Sequence, residues 1–207
     1  MEFELRPIEE DDFARVVEIY YIAFADNPLS LATIPRTPAS RKFFDAVMGH
    51  ALKHPTVYHN IKAVSRSTGE TVGIGLWIAP KTAMSEASAL PDIQPPEGSD
   101  VELFNKSFEV WGKRQSELMQ DRPFWKLDVL GVLPEYQGRG IGKLLIQYGI
   151  DRADEQGIEA YLDASPKGAP VYERVGFRGS HLVEFEIDNA KREAQISISH
   201  SVNSTSV

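Results

Sequence analysis

The chain has 207 residues, of which 42% are hydrophobic and 25% are charged, and its formal net charge is −8. This length and composition are typical of a single globular domain, and the acidic balance argues against a general nucleic-acid-binding protein, whose affinity depends on clustered Lys and Arg. Because the chain has no cysteine, it forms no disulfide and has neither a thiol nucleophile nor a cysteine metal site.

The N-terminal part of the sequence predicts alternating strands and helices. Apolar residues recur first with a period of two and then at helical spacing, and Thr37 before Pro38 is typical of a helix start. Two later runs of strand-like residues surround a turn and predict a hairpin. The predicted elements are a strand at 3–7, a helix at 11–24, a helix from Pro38 to about Lys53, and strands at 58–65 and 71–79.

A helical insertion is predicted at about 80–122. Residues 80–98 contain four prolines and few large apolar side chains, which favours an irregular surface excursion. The sequence Ser-Asp-Val-Glu at 99–102 matches a capping box, so we expect a helix to begin there and to end near Gln120.

The C-terminal part predicts a strand, a turn, a helix and a further strand, followed by shorter elements. These lie at 125–133, 140–156, 158–164, 168–175 and 181–187. From residue 189 the chain is polar and rich in serine. We therefore expect one domain over residues 1–188 and a mobile polar tail over 189–207.

Alternate glycines form the turn between the predicted strand and helix, at Gly138, Gly140 and Gly142. Glycines let the backbone approach a ligand closely, and the helix N-terminus that follows presents unpaired N–H groups, so this turn predicts a phosphate site. A P-loop is excluded because Gln137 occupies its first glycine position. A Rossmann fingerprint is excluded because Lys143 stands where its last glycine belongs.

The segment from Gln137 to Gly142 resembles the acyl-CoA-binding motif of the GNAT superfamily, which is Gln or Arg, two free residues, Gly, one free residue, and Gly or Ala. Tyr172 to Phe177 is similar to the Tyr-x-x-x-Gly-Phe ending of that family. The resemblance is closest to puromycin-type, small-molecule N-acetyltransferases. It implies the α/β GNAT fold, with a mixed, mostly antiparallel sheet of about six to seven strands, splayed fourth and fifth strands, and four to five helices.

Acetyl-CoA is the co-substrate that the resemblance implies. Backbone N–H groups from Gly138 to Lys143 would hold its pyrophosphate, and the backbone of Leu130 and Val132 would pair with its pantetheine arm. For the charges of Arg139 and Lys143, a phosphate contact and plain solvation are both open. The implied cofactor-binding residues are Leu130, Val132, Gln137, Gly138, Arg139, Gly140, Ile141, Gly142 and Lys143. Ser165 is a further candidate: it departs from the family pattern, which often has Asn at this position, and its hydroxyl is the candidate substitute in pantetheine binding.

Two side chains are candidates for proton transfer. Strict alternation along 125–133 puts Asp128 on the same face as Leu130 and Val132, close to the expected thioester, as a base or as an anchor for a cationic amine. Water is the alternative base, and a bulge would change the face. Tyr172 is the candidate acid for the departing thiolate, because a phenol with a pKa of about 10 stays protonated at pH 7. Packing of a short helix is its alternative role.

The sequence predicts an N-acetyltransferase that moves acetyl from acetyl-CoA to a primary amine of a small molecule, by direct attack in a ternary complex. Within the enzyme class, the alternative is a protein lysine or N-terminal acetyltransferase. A non-catalytic acetyl-CoA-binding sensor or assembly subunit is the alternative of another kind. We expect a monomer or homodimer in the cytoplasm, with the nucleus as the alternative location, and we expect no metal, nucleic acid or membrane partner.

Overall fold

A computed structural model describes residues 2–80, 94–187 and 191–200, and within these residues one mixed sheet has seven strands. The strands are β1 (Phe3–Pro7), β2 (Tyr58–Ser65), β3 (Thr71–Ile78), β4 (Phe124–Val132), β5 (Glu159–Ala164), β6 (Arg178–Ile187) and β7 (Lys191–His200). Their order across the sheet is β1-β2-β3-β4-β5-β7-β6. Only β4 and β5 are parallel, and every other pair of neighbours is antiparallel. This architecture confirms the predicted fold class.

Six α-helices lie in the described part of the chain, one more than the upper end of the prediction. They are α1 (Phe13–Ala23), α2 (Pro28–Thr33), α3 (Pro38–Lys53), α4 (Val101–Met119), α5 (Ile141–Gln156) and α6 (Ala169–Glu173), with 3-10 turns at Glu10–Asp12 and Pro134–Tyr136. The additional helix is α2, where Asn27 accepts a hydrogen bond from the Ser30 amide at 2.7 Å. None of the helices in residues 2–80, 94–187 or 191–200 is long and apolar enough to cross a membrane.

Helices cover both faces of the sheet and bury two main apolar clusters. Under α5, the fully buried Trp77 donates a hydrogen bond from its indole Nε1 to the carbonyl of Leu145 at 3.1 Å. On the other face, α1 and α3 bury Ile19 and Met48. A third, smaller cluster joins α2 and α4 to β6 through Leu29, Leu103, Phe185 and Ile187.

The start of α4 differs from the predicted capping box. Asp100 is the N-cap, and its carboxylate accepts a hydrogen bond from the Leu103 amide at 2.9 Å. Ser99 instead donates from Oγ to the Thr33 carbonyl at 2.7 Å, which ties this start to the end of α2. Of the predicted surface excursion at 80–98, residues 81–93 lie outside the described part of the chain.

The predicted mobile tail is wrong for residues 191–200. These residues form β7, which pairs with β5 on one side and with β6 on the other. Backbone hydrogen bonds on both edges hold a strand of polar composition, and Ile198 is buried in the core. Serine alternates with isoleucine at the end of this strand, a period-two signal that the serine-rich composition hid. Residues 201–207 lie outside the described chain.

Packing of α5 on β3 requires a glycine at position 149. A Cβ added there would lie 2.4 Å from the Trp77 ring, far inside van der Waals contact. We predict that Gly149→Ala lowers the free energy of unfolding by about 1–3 kcal/mol, the usual cost of overpacking a core, measured by urea denaturation.

Gly49→Ala is the matched control, because no described atom lies within 4 Å of a Cβ added at this position in α3. It should stabilise the fold by up to about 1 kcal/mol through helix propensity. Equal stability of the two variants would contradict the close packing of Trp77 on Gly149.

Candidate functional site

A gap opens between β4 and β5. The two strands pair only from Phe124 to Leu127 of β4, and beyond Leu127 they separate. From Asp128 to Val132, the edge of β4 that faces β5 therefore has no strand partner in the described chain. The predicted splay of the fourth and fifth strands is confirmed. Unpaired backbone groups at such an edge need another partner, which makes the gap a place for an extended ligand.

The glycine turn stands at the end of β4 and leads into α5. Gly138 and Gly140 have φ angles of +75° and +83°, in the left-handed region that favours glycine. The first hydrogen bond of the helix runs from the Leu144 amide to the Gly140 carbonyl at 3.0 Å. The amides from Gly138 to Lys143 donate to no residue of the described chain. This row of free donors at the positive end of a helix dipole is suited to bind an anion.

Three further residues of the turn have contrasting roles in the structure. Ile141 is 1% exposed and packs under the turn, so only its backbone faces the site. Gln137 donates from its side-chain amide to the Val132 carbonyl at 3.1 Å, which braces the turn against the end of β4. Gly142 has open space around its Cα, with no described atom within 4 Å of an added Cβ.

The two cations of the turn differ in their surroundings. Arg139 forms an ion pair with Glu2, and its guanidinium carbon lies 5.0 Å from the centre of the Phe3 ring and 5.2 Å from that of Tyr136. Lys143 is exposed and forms no ion pair with the described residues. Of these two side chains, Lys143 is therefore the one whose charge is available to a ligand.

Ser165 lies at the end of β5, on the other side of the gap. Its Oγ accepts a hydrogen bond from the Gly168 amide at 3.1 Å, and its carbonyl accepts from the amides of Gly168 and Ala169 at 2.9 Å each. Ser165 thus shapes the turn that begins α6. The nearby Lys167 reaches Asp26, from the segment between α1 and α2, at 3.9 Å. This contact brings the segment around Asp26 close to the turn that begins α6.

A β-bulge at Asp128 changes the predicted arrangement of β4. The pairing register between β3 and β4 shifts at this residue, so the strict alternation of faces is interrupted. Leu130 and Val132 pack into the cluster under α5, together with Trp125 and Leu127. The prediction that Asp128 shares the face of Leu130 and Val132 is therefore wrong, because the bulge adds one residue between them.

The carboxylate of Asp128 lies near α1. Its Oδ1 is 3.3 Å from Lys126 Nζ, and its side chain is 49% exposed. Burial raises the pKa of Tyr20 on α1 to about 12, and the negative charge of Asp128 acts in the same direction. Tyr20 Oη lies 2.7 Å from Ser30 Oγ of α2. Asp128, Tyr20 and Ser30 therefore border the gap on the side of α1.

Tyr20 and Ser30 were not predicted as site residues. The apolar spacing of α1 accounts for Tyr20 as a core residue, and no helix was predicted at Pro28–Thr33 that would bring Ser30 close. The Asn-Pro pair at 27–28, a cap followed by a first-turn proline, was the signal that could have found this helix. Among the residues that the structure describes, no three His, Asp or Glu side chains group as metal ligands.

Tyr172 lies on α6, half-buried. Its ring packs against the edge of Phe177, with centroids 6.0 Å apart. Burial raises the pKa of the phenol well above its ordinary value of about 10, so the hydroxyl stays protonated throughout the neutral range. Tyr172 Oη forms no hydrogen bond with the described residues. Its proton is therefore free for a ligand.

A protein-family model described as "Acetyltransferase (GNAT) family" matches residues 106–177, which include β4, the glycine turn and Tyr172. The chain contains a GNAT acetyltransferase domain. The chain is 24% identical to the "Uncharacterized N-acetyltransferase C550.08" of Schizosaccharomyces pombe, over 92% of its own length and 81% of that protein.

Other similarities agree with this family. A segment covering 36% of this chain is 34% identical to mycothiol acetyltransferase of Streptomyces coelicolor, but it spans only 26% of that protein. The crystal structure of arylalkylamine N-acetyltransferase 2 from Aedes aegypti shares the fold with a TM-score of 0.67, at 18% identity, covering 98% of this chain and 100% of that one. The matched domain makes the protein an acyltransferase, and the GNAT family uses acetyl-CoA.

The left-handed backbone at Gly140 gives a test of the turn. We predict that Gly140→Ala raises the Kd for acetyl-CoA by roughly ten-fold or more, because a non-glycine residue in this conformation costs about 1–2 kcal/mol and distorts the row of amides. Isothermal titration calorimetry measures the change.

Gly142→Ala tests the same turn without backbone strain, since the φ of Gly142 lies outside the left-handed region. The loss of affinity for acetyl-CoA should be much smaller in Gly142→Ala than in Gly140→Ala. A larger loss in Gly142→Ala than in Gly140→Ala would contradict the importance of the left-handed turn.

Proposed function

We propose that this protein transfers the acetyl group of acetyl-CoA to a primary amine of a small molecule, by direct attack in a ternary complex. The observation that carries the proposal is the row of free amides from Gly138 to Lys143 at the end of a gap between two parallel strands. Such a row binds phosphates, and the gap accepts an extended chain beside it. This combination fits coenzyme A, which joins a pyrophosphate to an amide-bearing arm.

The cofactor would lie along β4. In the proposed complex, the amides of the turn hold the pyrophosphate, and the backbone at Leu130 and Val132, where β4 has no strand partner towards β5, pairs with the pantetheine arm as a further strand would. This arrangement brings the thioester near Asp128, where β4 and β5 begin to separate. Lys143 adds positive charge beside the phosphates, and Ser165 is within the opposite wall.

The acceptor amine would approach from the side of α1 and α2. Asp128 supplies a half-exposed carboxylate there, and the Tyr20–Ser30 pair forms the neighbouring wall. A carboxylate at this position accepts a proton from an alkyl ammonium, whose pKa of about 10.4 keeps it mostly charged at neutral pH. The neutral amine is then the nucleophile.

The reaction balances without a covalent enzyme intermediate. The amine nitrogen attacks the thioester carbon, the tetrahedral intermediate collapses, and the carbon–sulfur bond breaks. Asp128 first passes the proton of the ammonium to solvent and then takes, directly or through water, the second proton that nitrogen loses. Tyr172 donates its proton to the departing thiolate and regains one from solvent. With no cysteine in the chain, the usual thiol carrier of an acetyl group is absent.

A small-molecule acceptor is supported by the fold similarity to a protein named for arylalkylamines, which are small amines. The acceptor class is open to a direct test. Release of free thiol from acetyl-CoA, measured with a panel of small amines and of lysine-containing or N-terminal peptides, decides it. Turnover on peptides alone would overturn the small-molecule acceptor, and tight acetyl-CoA binding with no turnover would favour a sensor or assembly subunit.

Tyr172→Phe removes only the phenolic hydroxyl. We predict a fall in kcat on the order of 100-fold with the Kd for acetyl-CoA almost unchanged, because general acid catalysis contributes about that much and binding does not use the proton. Stopped-flow thiol release and calorimetry measure the two quantities.

The pH profile of the wild-type protein provides the control for Tyr172. Because burial raises the pKa of Tyr172, the acid form persists and its ionisation causes no loss of rate below about pH 10. An alkaline loss centred below pH 9 that disappears in Tyr172→Phe would contradict the raised pKa of this phenol, and an unchanged kcat in Tyr172→Phe would contradict its role as the acid.

Asp128→Asn keeps the size of the side chain and removes its basicity. We predict that kcat/KM for the amine falls roughly 10- to 100-fold at pH 7 and that the deficit shrinks towards pH 10, where the amine is increasingly neutral without help. Initial rates across this pH range measure it. Lys126→Met, which leaves the carboxylate in place, is the matched control. A deficit that stays constant with pH would show that Asp128 does not accept the proton.

A further inference from the structure

Arg139 stands in the middle of the glycine turn, but its side chain reaches the first strand of the sheet. Its guanidinium pairs with Glu2 and lies 5.0 Å from the centre of the Phe3 ring. In the sheet, β1 is separated from β4 by β2 and β3, whereas the gap lies on the opposite side of β4. The charged group of Arg139 is therefore bound at β1, on the side of β4 away from the gap.

The partners of Arg139 are themselves fixed. Phe3 is buried, and its ring meets that of Tyr136 edge to face, with centroids 6.2 Å apart. Tyr136 donates from Oη to Glu70 Oε2 at 2.9 Å, and Glu70 also pairs with Arg15 of α1. Arg139 thus connects a turn to a network that includes both the first strand and the first helix.

The turn needs such an attachment. Arg139 lies between Gly138 and Gly140, which both have left-handed backbone conformations and no side chain to hold them. Glycines lose more conformational freedom than other residues when they are ordered. A turn that binds phosphate through its amides gains affinity when these amides are held in place before the ligand arrives.

We propose that Arg139 is a positioning residue for the cofactor: its contacts with Glu2, Phe3 and Tyr136 hold the glycine turn in its phosphate-binding conformation, while its charge does not contact the phosphates. This inference rests on the proposed acetyl-CoA site. It makes the beginning of β1, more than a hundred residues from the turn in sequence, a determinant of cofactor affinity. The charge that meets the phosphates belongs to Lys143.

A double-mutant cycle with Glu2→Gln and Arg139→Met tests the proposal. Each single change should raise the Kd for acetyl-CoA about five-fold, the scale of one ion-pair or cation–π contact, and the double variant should bind no more weakly than either single variant. The KM for acetyl-CoA should rise by the same factor while kcat and the KM for the amine stay unchanged. Phe3→Leu, which keeps an apolar side chain but removes the ring, should raise the Kd in the same way.

Glu4→Gln is the matched control, because Glu4 lies on the same strand and pairs with Arg6 and Arg66 rather than with the turn. It should leave the Kd unchanged. Thermal unfolding of every variant checks that the fold is intact. Because Glu2 is exposed, we expect Glu2→Gln to fold, so this variant tests the proposal even if Phe3→Leu unfolds.

The proposal is overturned if Arg139→Met weakens binding while Glu2→Gln does not, or if the two losses of affinity add in the double variant. The first result would mean that Arg139 contacts the phosphates directly, and the second that Glu2 and Arg139 act on binding independently. Wild-type protein that does not bind acetyl-CoA would overturn the proposed function itself, so the two failures are distinguishable.

Discussion

The separation of β4 and β5 beyond Leu127 is the constraint on which the site depends. Paired strands lie about 4.8 Å apart, which leaves no room for a ligand between them, and unpaired backbone groups away from water require a new partner. The β6–β7 hairpin completes the sheet on the far edge of β5 and does not enter the gap. The fold therefore keeps one strand edge open inside an otherwise continuous sheet, and the acetyl donor proposed for this protein has the shape and hydrogen-bonding groups to occupy it.

The bulge at Asp128 coincides with the end of pairing between β4 and β5. A bulge bends a strand and increases its twist, so the bulge at Asp128 helps to open the gap. It also interrupts the alternation of side chains between the two faces of β4. Beyond the bulge, Leu130 and Val132 turn their side chains into the core under α5, while Asp128 lies with Tyr20 on the side of α1. The donor can thus lie in the plane of the sheet while the acceptor approaches from one face.

Local features of this protein could be predicted from the sequence, and features set by distant pairing could not. The turn at Gly138 to Gly142 and the cap at the start of α3 depend on neighbouring residues, and the structure has them where the sequence indicated. The bulge at Asp128 arises from register with β3, about fifty residues away, so strict alternation gave the wrong face. β7 was not predicted for the same reason. Its backbone is held by two neighbouring strands, and its serine-rich composition does not indicate that pairing.

Amide chemical shifts of the ¹⁵N-labelled protein, followed by NMR during titration with acetyl-CoA, test the central claim most directly. The account predicts saturable shifts at the free amides from Gly138 to Lys143 and at Leu130 and Val132, with the amides of the Glu4–Arg6 stretch of β1 unaffected. Saturation by acetyl-CoA without any change at the glycine turn, or no binding at all, would contradict it.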